Sequence, residues 1–146
     1  MNTEIKQLIL EVLENGYLMS LATQGAGGIW VADVIFIYDN DLNLYWMSNQ
    51  NVRHSQAVEI NPRVAGTITV SNPGEDNLGI QFEGMAEKID GQRFDLATKH
   101  LLKRKKPAPK ESDDVLGGYS WYVLRPKRIE LICERLFAFE KKKIEL

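Results

Sequence analysis

The sequence holds one cysteine, Cys133, among 146 residues. No intrachain disulfide can form, and nothing about its setting points to an oxidising compartment. Its neighbours Leu131 and Ile132 are apolar and no electropositive group flanks it, so it reads as a packing residue rather than a nucleophile. Histidine is nearly as scarce. His54 and His100 stand far apart, with neither a His-Glu-x-x-His pattern nor paired cysteines, so no protein-built metal site is expected. There is no Gly-x-Ser-x-Gly elbow to support a serine hydrolase. Gly25-Ala26-Gly27-Gly28 lacks the lysine and hydroxyl residue of a phosphate loop and the spacing of a dinucleotide fingerprint, which leaves a hairpin turn. No apolar run reaches the roughly 18 residues that suggest a membrane-spanning helix. The first residues lack the basic and apolar regions of a leader, so a cytoplasmic protein is expected. A net charge of -2 gives no positive field to attract nucleic acid or an anionic membrane, and neither is expected as a partner.

What remains is the texture of an ordinary packed protein, 44% hydrophobic and 26% charged, of a size suited to one domain over residues 1–146. Ile5, Leu8, Ile9, Val12 and Leu13 share one helical face, and Asn15-Gly16 ends it, which predicts a helix over about 3–15. Tyr17 to Thr23 and Trp30 to Tyr38 read as strands about the glycine-rich turn. Asp39 to Asp41 is a second turn and Leu42 to Met47 a third strand. Val52 to Ile60 suits a short helix with Asn51 as its N-cap and Asn61-Pro62 as its stop. Val64 to Val70 is another strand. Ile80, Phe82, Gly84 and Ala86 alternate with polar positions in a long half-buried one. Phe94, Ala97, Leu101 and Leu102 predict a second amphipathic helix, and Lys103 to Asp114, with two prolines and opposed charge blocks, a solvated loop. Trp121 to Leu124, Ile129 to Cys133 and Leu136 to Phe139 read as three closing strands. The tally is mainly β: six to eight antiparallel strands over about 17–139, forming a barrel with peripheral helices.

One stretch carries chemistry that suits a phosphate. Ser48-Asn49-Gln50-Asn51-Val52-Arg53-His54-Ser55 closes a strand and opens a helix. A helix N-terminus offers free N–H groups and a positive dipole end, Arg53 a planar donor fork, Ser48 or Ser55 a hydroxyl and His54 a further donor. On local chemistry alone, Arg53 and His54 read equally as exposed residues of a surface helix. Trp30, Trp46, Trp121 and Tyr122 could line a flat pocket, but in a small β protein they belong first to the core or a subunit interface. Asp33, alone in an apolar strand, is expected to face solvent.

As an ordered series, several segments resemble the flavin-binding split-barrel family typified by pyridoxamine-phosphate oxidase, particularly its small bacterial YhbP-like members. They are Leu18 to Thr23, Leu44-Tyr45-Trp46-Met47-Ser48, Arg53-His54, Asn61-Pro62-Arg63-Val64-Ala65-Gly66-Thr67-Ile68, Gly79 to Ala86, and Trp121-Tyr122-Val123-Leu124-Arg125-Pro126. The resemblance implies a homodimeric split barrel with flavin mononucleotide (FMN) in a cleft between subunits. Its phosphate would lie at the turn matched by Ser48 and Arg53, with His54 beside them. The backbone of Val34, Ile35 and Phe36 would line the isoalloxazine edge, and Gln81 is a further candidate. The activity implied is that of an FMN-dependent oxidoreductase on a small molecule. The alternatives are a non-catalytic dimer holding flavin or haem, and a ligand-free barrel. The chain departs from the full oxidases in two ways: it lacks an equivalent of their pyridoxal-phosphate-binding residues near the C-terminus, and it has no lysine between Ser48 and Asn61.

Overall fold

The computed structural model describes residues 2–146. Asn2 accepts a hydrogen bond from the N–H of Ile5 and caps helix α1, Thr3–Asn15, whose five apolar positions, Ile5 to Leu13, are all buried. The helix ends at Gly16, where the backbone turns extended and a Cβ would lie 2.6 Å from Ile68. Strands β1, Leu18–Gly25, and β2, Gly28–Ile35, form a hairpin about the glycine turn, with Gly28 at φ 96°. The expected strand through Tyr38 breaks at Phe36, which turns into the core and separates β2 from the two-residue β3, Ile37–Tyr38.

The chain continues through β4, Leu44–Ser48; helix α2, Arg53–Ile60; β5, Arg63–Thr69; and β6, Leu78–Ile89. Helix α3, Phe94–Lys103, then leads through a long loop to β7, Ser120–Cys133, the short helix α4, Glu134–Phe137, and β8, Lys142–Glu145. The eight strands make one antiparallel sheet in the order β2-β1-β5-β6-β7-β4-β3, with β8 paired to the far half of β7. The sheet curls into a half-barrel over a core of α1 and strand residues, among them Trp46 stacked on Tyr122 with ring centroids 5.6 Å apart. This is an antiparallel barrel with peripheral helices, as the strand pattern predicts, and of the split type that the resemblance implies. No helix among the described residues is long and apolar enough to cross a membrane.

Three local expectations are corrected. Trp121 to Leu124 and Ile129 to Cys133 are one strand, because β7 runs unbroken through Pro126. The register shifts between Glu83 and Gly84, so Lys127 bulges out, and Pro126, without an N–H, sits opposite Gly84. Leu136 to Phe139 is no strand: its first residues form α4, and β8 lies further on. The buried face of α3 is Leu96, Ala97 and His100, while Leu102 is exposed. That face packs on Trp121, whose Nε1 donates to the Gln92 carbonyl at 2.9 Å and whose ring meets His100 edge-on. Burial, with the charges of Arg104 and Lys103, pushes His100 down to about 4.

At the bulge, a Cβ on Gly84 would lie 2.2 Å from the Arg125 carbonyl oxygen and 2.8 Å from the Pro126 Cα. Backbone cannot yield there as a side-chain tip could. Gly84→Ala is therefore expected to destabilise the protein by at least about 2 kcal/mol in urea unfolding, whereas Lys127→Ala should change little.

Candidate functional site

Where β4 leaves the sheet, Ser48 ends the strand and Asn49 folds the turn, its Oδ1 accepting from the Asn51 N–H at 2.8 Å. That contact moves the start of α2 by one residue. Val52, not Asn51, is the N-cap, and its apolar side chain caps nothing. The first-turn N–H groups of Arg53, His54 and Ser55 are thus left without a capping side chain, and the Ser55 hydroxyl is buried without a partner.

Arg53 lies across the hairpin tip. It donates to the Gly27 carbonyl at 2.9 Å, and its guanidinium lies 4.2 Å from the centre of the Trp30 ring. This contact explains Trp30, the one tryptophan of the three outside the core. His54 Nε2 lies 3.0 Å from the buried Ser48 Oγ, and burial lowers the imidazole below its ordinary pKa of 6.5. Ser48 and His54 are therefore in contact beside an uncapped helix N-terminus, while Arg53, the first residue of that helix, extends to the hairpin tip. The donors and the dipole suit a dianion such as a phosphate.

The structure adds neighbours that local sequence could not suggest. Gln50 donates to the Ser120 hydroxyl of β7 at 2.9 Å and accepts from the Lys88 ammonium of β6 at 3.4 Å. Lys88 thus brings a lysine from another strand to Gln50 of the turn. The one sequence signal was the matching of Ser48 to a strand end, whose cross-strand partner is Ser120.

The remaining candidates are less coherent. Val34 is buried opposite Met19, and Ile35, half-buried, pairs with Leu18 at the end of β2. Phe36 follows just outside the strand, with its ring wholly buried and its carbonyl accepting from Lys103. Gln81 is not brought to Ser48 and Arg53 within one chain. It lies seven residues from Lys88 along β6, about 23 Å at the rise of a strand, and accepts from Lys141 at 2.9 Å. Asp33 is exposed and accepts from Ser20 at 2.7 Å, Cys133 is buried, and the described residues contain no group of three or more potential metal-binding side chains.

Residues 5–133 match the family described as pyridoxamine 5'-phosphate oxidase. Among curated proteins, a UPF0306 protein of Photorhabdus laumondii is 28% identical over 104 residues, 70% of this chain and 73% of that one. Among solved structures, general stress protein 26 of Bacillus anthracis superposes with a TM-score of 0.72 at 19% identity, covering 99% of this chain and all of that one. The haem storage protein of Vibrio cholerae does so with a TM-score of 0.63 at 14% identity, covering 99% and 93%.

The buried contact with Ser48 gives His54 a testable signature. Its proton NMR titration is expected to show a midpoint below 6.5 in the ligand-free protein, because the fold disfavours the charged ring. Stability should fall as the pH drops from the ordinary 6.5 toward that midpoint, where the unfolded chain takes up a proton the folded ring refuses, and level off below it; Ser48→Ala should leave the midpoint depressed, since desolvation and not the hydroxyl lowers it.

Proposed function

The chain belongs to the pyridoxamine 5'-phosphate oxidase family, and on that premise we propose that it is a homodimeric FMN-binding protein whose cofactor phosphate rests on the N-terminus of α2. The observation that carries this reading is the uncapped first turn of α2, with Arg53 and His54 on it, Ser48 beneath and Lys88 nearby. Arg53 would rotate from Gly27 to pair with phosphate oxygens, and the free N–H groups would complete the cradle. His54 and the Ser48 hydroxyl would donate from the buried side, a dianion drawing the imidazole toward its charged form. The backbone of Val34 and Ile35 would meet the ring edge.

When bound, the isoalloxazine supplies hydride chemistry, with a reduced nicotinamide or a small organic molecule as donor. The protein's part is to orient the ring, to polarise its pyrimidine side and to exclude water from one face. No side-chain acid or base is required, and we assign none.

Homodimerisation is proposed from the surface of the hairpin. Ile29 and Val31 on β2 are 73% and 57% exposed, and Tyr17 and Leu18 join them. Ile29 also lines a recess of about 460 Å3 with Ala22, Ala65 and Met85. Such a patch on a free sheet edge calls for a second copy.

A second reading, non-catalytic haem binding, draws on one observation besides the fold shared with a haem storage protein. His54 is partly exposed and favours the neutral form, the state in which imidazole ligates iron, whereas His100 is sealed against Trp121. A Soret band abolished by His54→Ala would select haem.

For the flavin reading, Arg53→Ala is expected to weaken FMN binding by about 1.5–3 kcal/mol, roughly 10- to 150-fold, in a fluorescence titration. An unchanged affinity rejects the assigned phosphate site. In sedimentation, the wild type is expected to be a dimer and Val31→Lys to shift it toward monomer, while a monomeric wild type removes the shared cleft.

A further inference from the structure

Away from the α2 site, the end of α1, β3 and α3 enclose a second cleft of about 700 Å3, with Glu14, Tyr38, Lys99 and Lys103 around it and Leu13 and Ile37 in its walls. It shares no residue with the proposed phosphate cradle. Lys99 and Lys103 lie one helical turn apart on α3, and both reach back to the bend after β2. Lys99 donates to the Tyr38 carbonyl at 3.2 Å. Lys103 donates to the Phe36 carbonyl, with its nitrogen 3.5 Å from the centre of the Phe36 ring. On α1, the Glu14 carboxylate accepts from the Tyr38 hydroxyl.

Opposite charges therefore face one cleft without meeting. Among the described residues, neither lysine forms an ion pair with Glu14 or with Asp39. Each is tethered to a neutral group instead. A carbonyl takes one N–H of each ammonium and the phenol occupies one oxygen of Glu14, so the lysines keep donors and the carboxylate keeps an acceptor. Asp39 also lines the cleft, but its carboxylate is engaged by Asn43, Tyr45 and the Asp41 N–H, which leaves Glu14 as the acidic side.

We propose that this cleft binds a small organic zwitterion, its carboxylate on Lys99 and Lys103, its ammonium on Glu14 and a short aliphatic chain between them. A simple anion would also meet Glu14, and a simple cation the two lysines. A molecule carrying both charges meets an opposite charge at each end. Leu13, Ile37 and the 57% exposed Leu102 offer apolar contact to its chain.

The side chains hold the charge states that this requires at neutral pH. Burial pushes Lys103 down to about 8, an effect that the charge of Glu14 partly offsets, so the side chain stays largely cationic. Its contacts with the Phe36 carbonyl and ring favour the same form. Burial and Glu14 push Tyr38 up to about 12, which keeps the phenol protonated and donating. Lys103 is thus a half-buried cation met by neutral groups, and a carboxylate in the cleft supplies its counterion.

The test is an amide-resolved NMR titration of the whole protein with γ-aminobutyrate and ε-aminocaproate, and with their singly charged analogues butyrate, caproate, butylamine and hexylamine. Saturable shifts are expected at Leu13, Glu14, Ile37, Tyr38 and the turn from Lys99 to Lys103 with at least one of the two amino acids, and its analogues should bind several-fold more weakly. Lys99→Met and Glu14→Gln are each expected to weaken that binding about two- to fivefold, the range of a partly exposed charge pair. Both side chains are exposed, and glutamine can still accept from Tyr38, so the fold should survive either change. No saturable shift at these residues with either amino acid overturns the proposal, as does a singly charged analogue that binds as tightly as its amino acid. An unchanged affinity in folded Lys99→Met or Glu14→Gln overturns the assignment of that end of the ligand.

Discussion

The pairing of β6 with β7 is the contact on which the rest of the molecule depends. Twelve residues of one strand lie against fourteen of the other, in two registers separated by a bulge. Flat pairing over that length would leave an open sheet. The bulge at Lys127, with Pro126 pressed on a glycine, adds local twist and lets the two halves of β7 serve different neighbours: β4 on one side of the bulge and β8 on the other. Because β4 is anchored to the first half of β7, the turn after Ser48 is held beside Ser120 and within reach of Lys88. The position of the proposed phosphate cradle therefore follows from the bulge.

The cradle also depends on an omission. A side-chain cap would close the first turn of α2 on itself; Asn49 instead folds the preceding turn, and Val52, which cannot cap, takes the next place. Arg53 is held meanwhile by a single carbonyl bond and the face of Trp30, both exposed and weak enough to exchange for an anion. These contacts keep the site ordered at modest energetic cost. The bend after Phe36 is held differently, by two lysines of α3 that donate to its carbonyls.

Most of the fold was legible because burial imposes period. The face Ile5 to Leu13 and the alternation Ile80, Phe82, Gly84 and Ala86 are both buried as their spacing implies. The failures lie where tertiary contacts override local pattern. Pro126 looks like a strand breaker until Gly84 is placed opposite. The apolar face of α3 is chosen by Trp121, which lies beyond the long loop that follows the helix, through a contact with His100 that no helical wheel contains. Apolar Leu136 and Phe139 resemble a strand, yet the paired residues are Lys142 to Glu145. At the site, Ser48, Arg53 and His54 were readable because they are near in sequence. Lys88 and Ser120 were not, because only sheet order brings them in. Gln81 stood on resemblance alone, and within one chain it lies far from the others.

The central claim is that the cradle at α2 holds the phosphate of a flavin, and an absorbance spectrum tests it most directly. The protein would be purified, incubated with FMN, freed of excess by desalting and measured across the visible range. The account predicts retained flavin bands corresponding to one FMN per protomer, displaced by excess inorganic phosphate. A protein that emerges colourless contradicts the account.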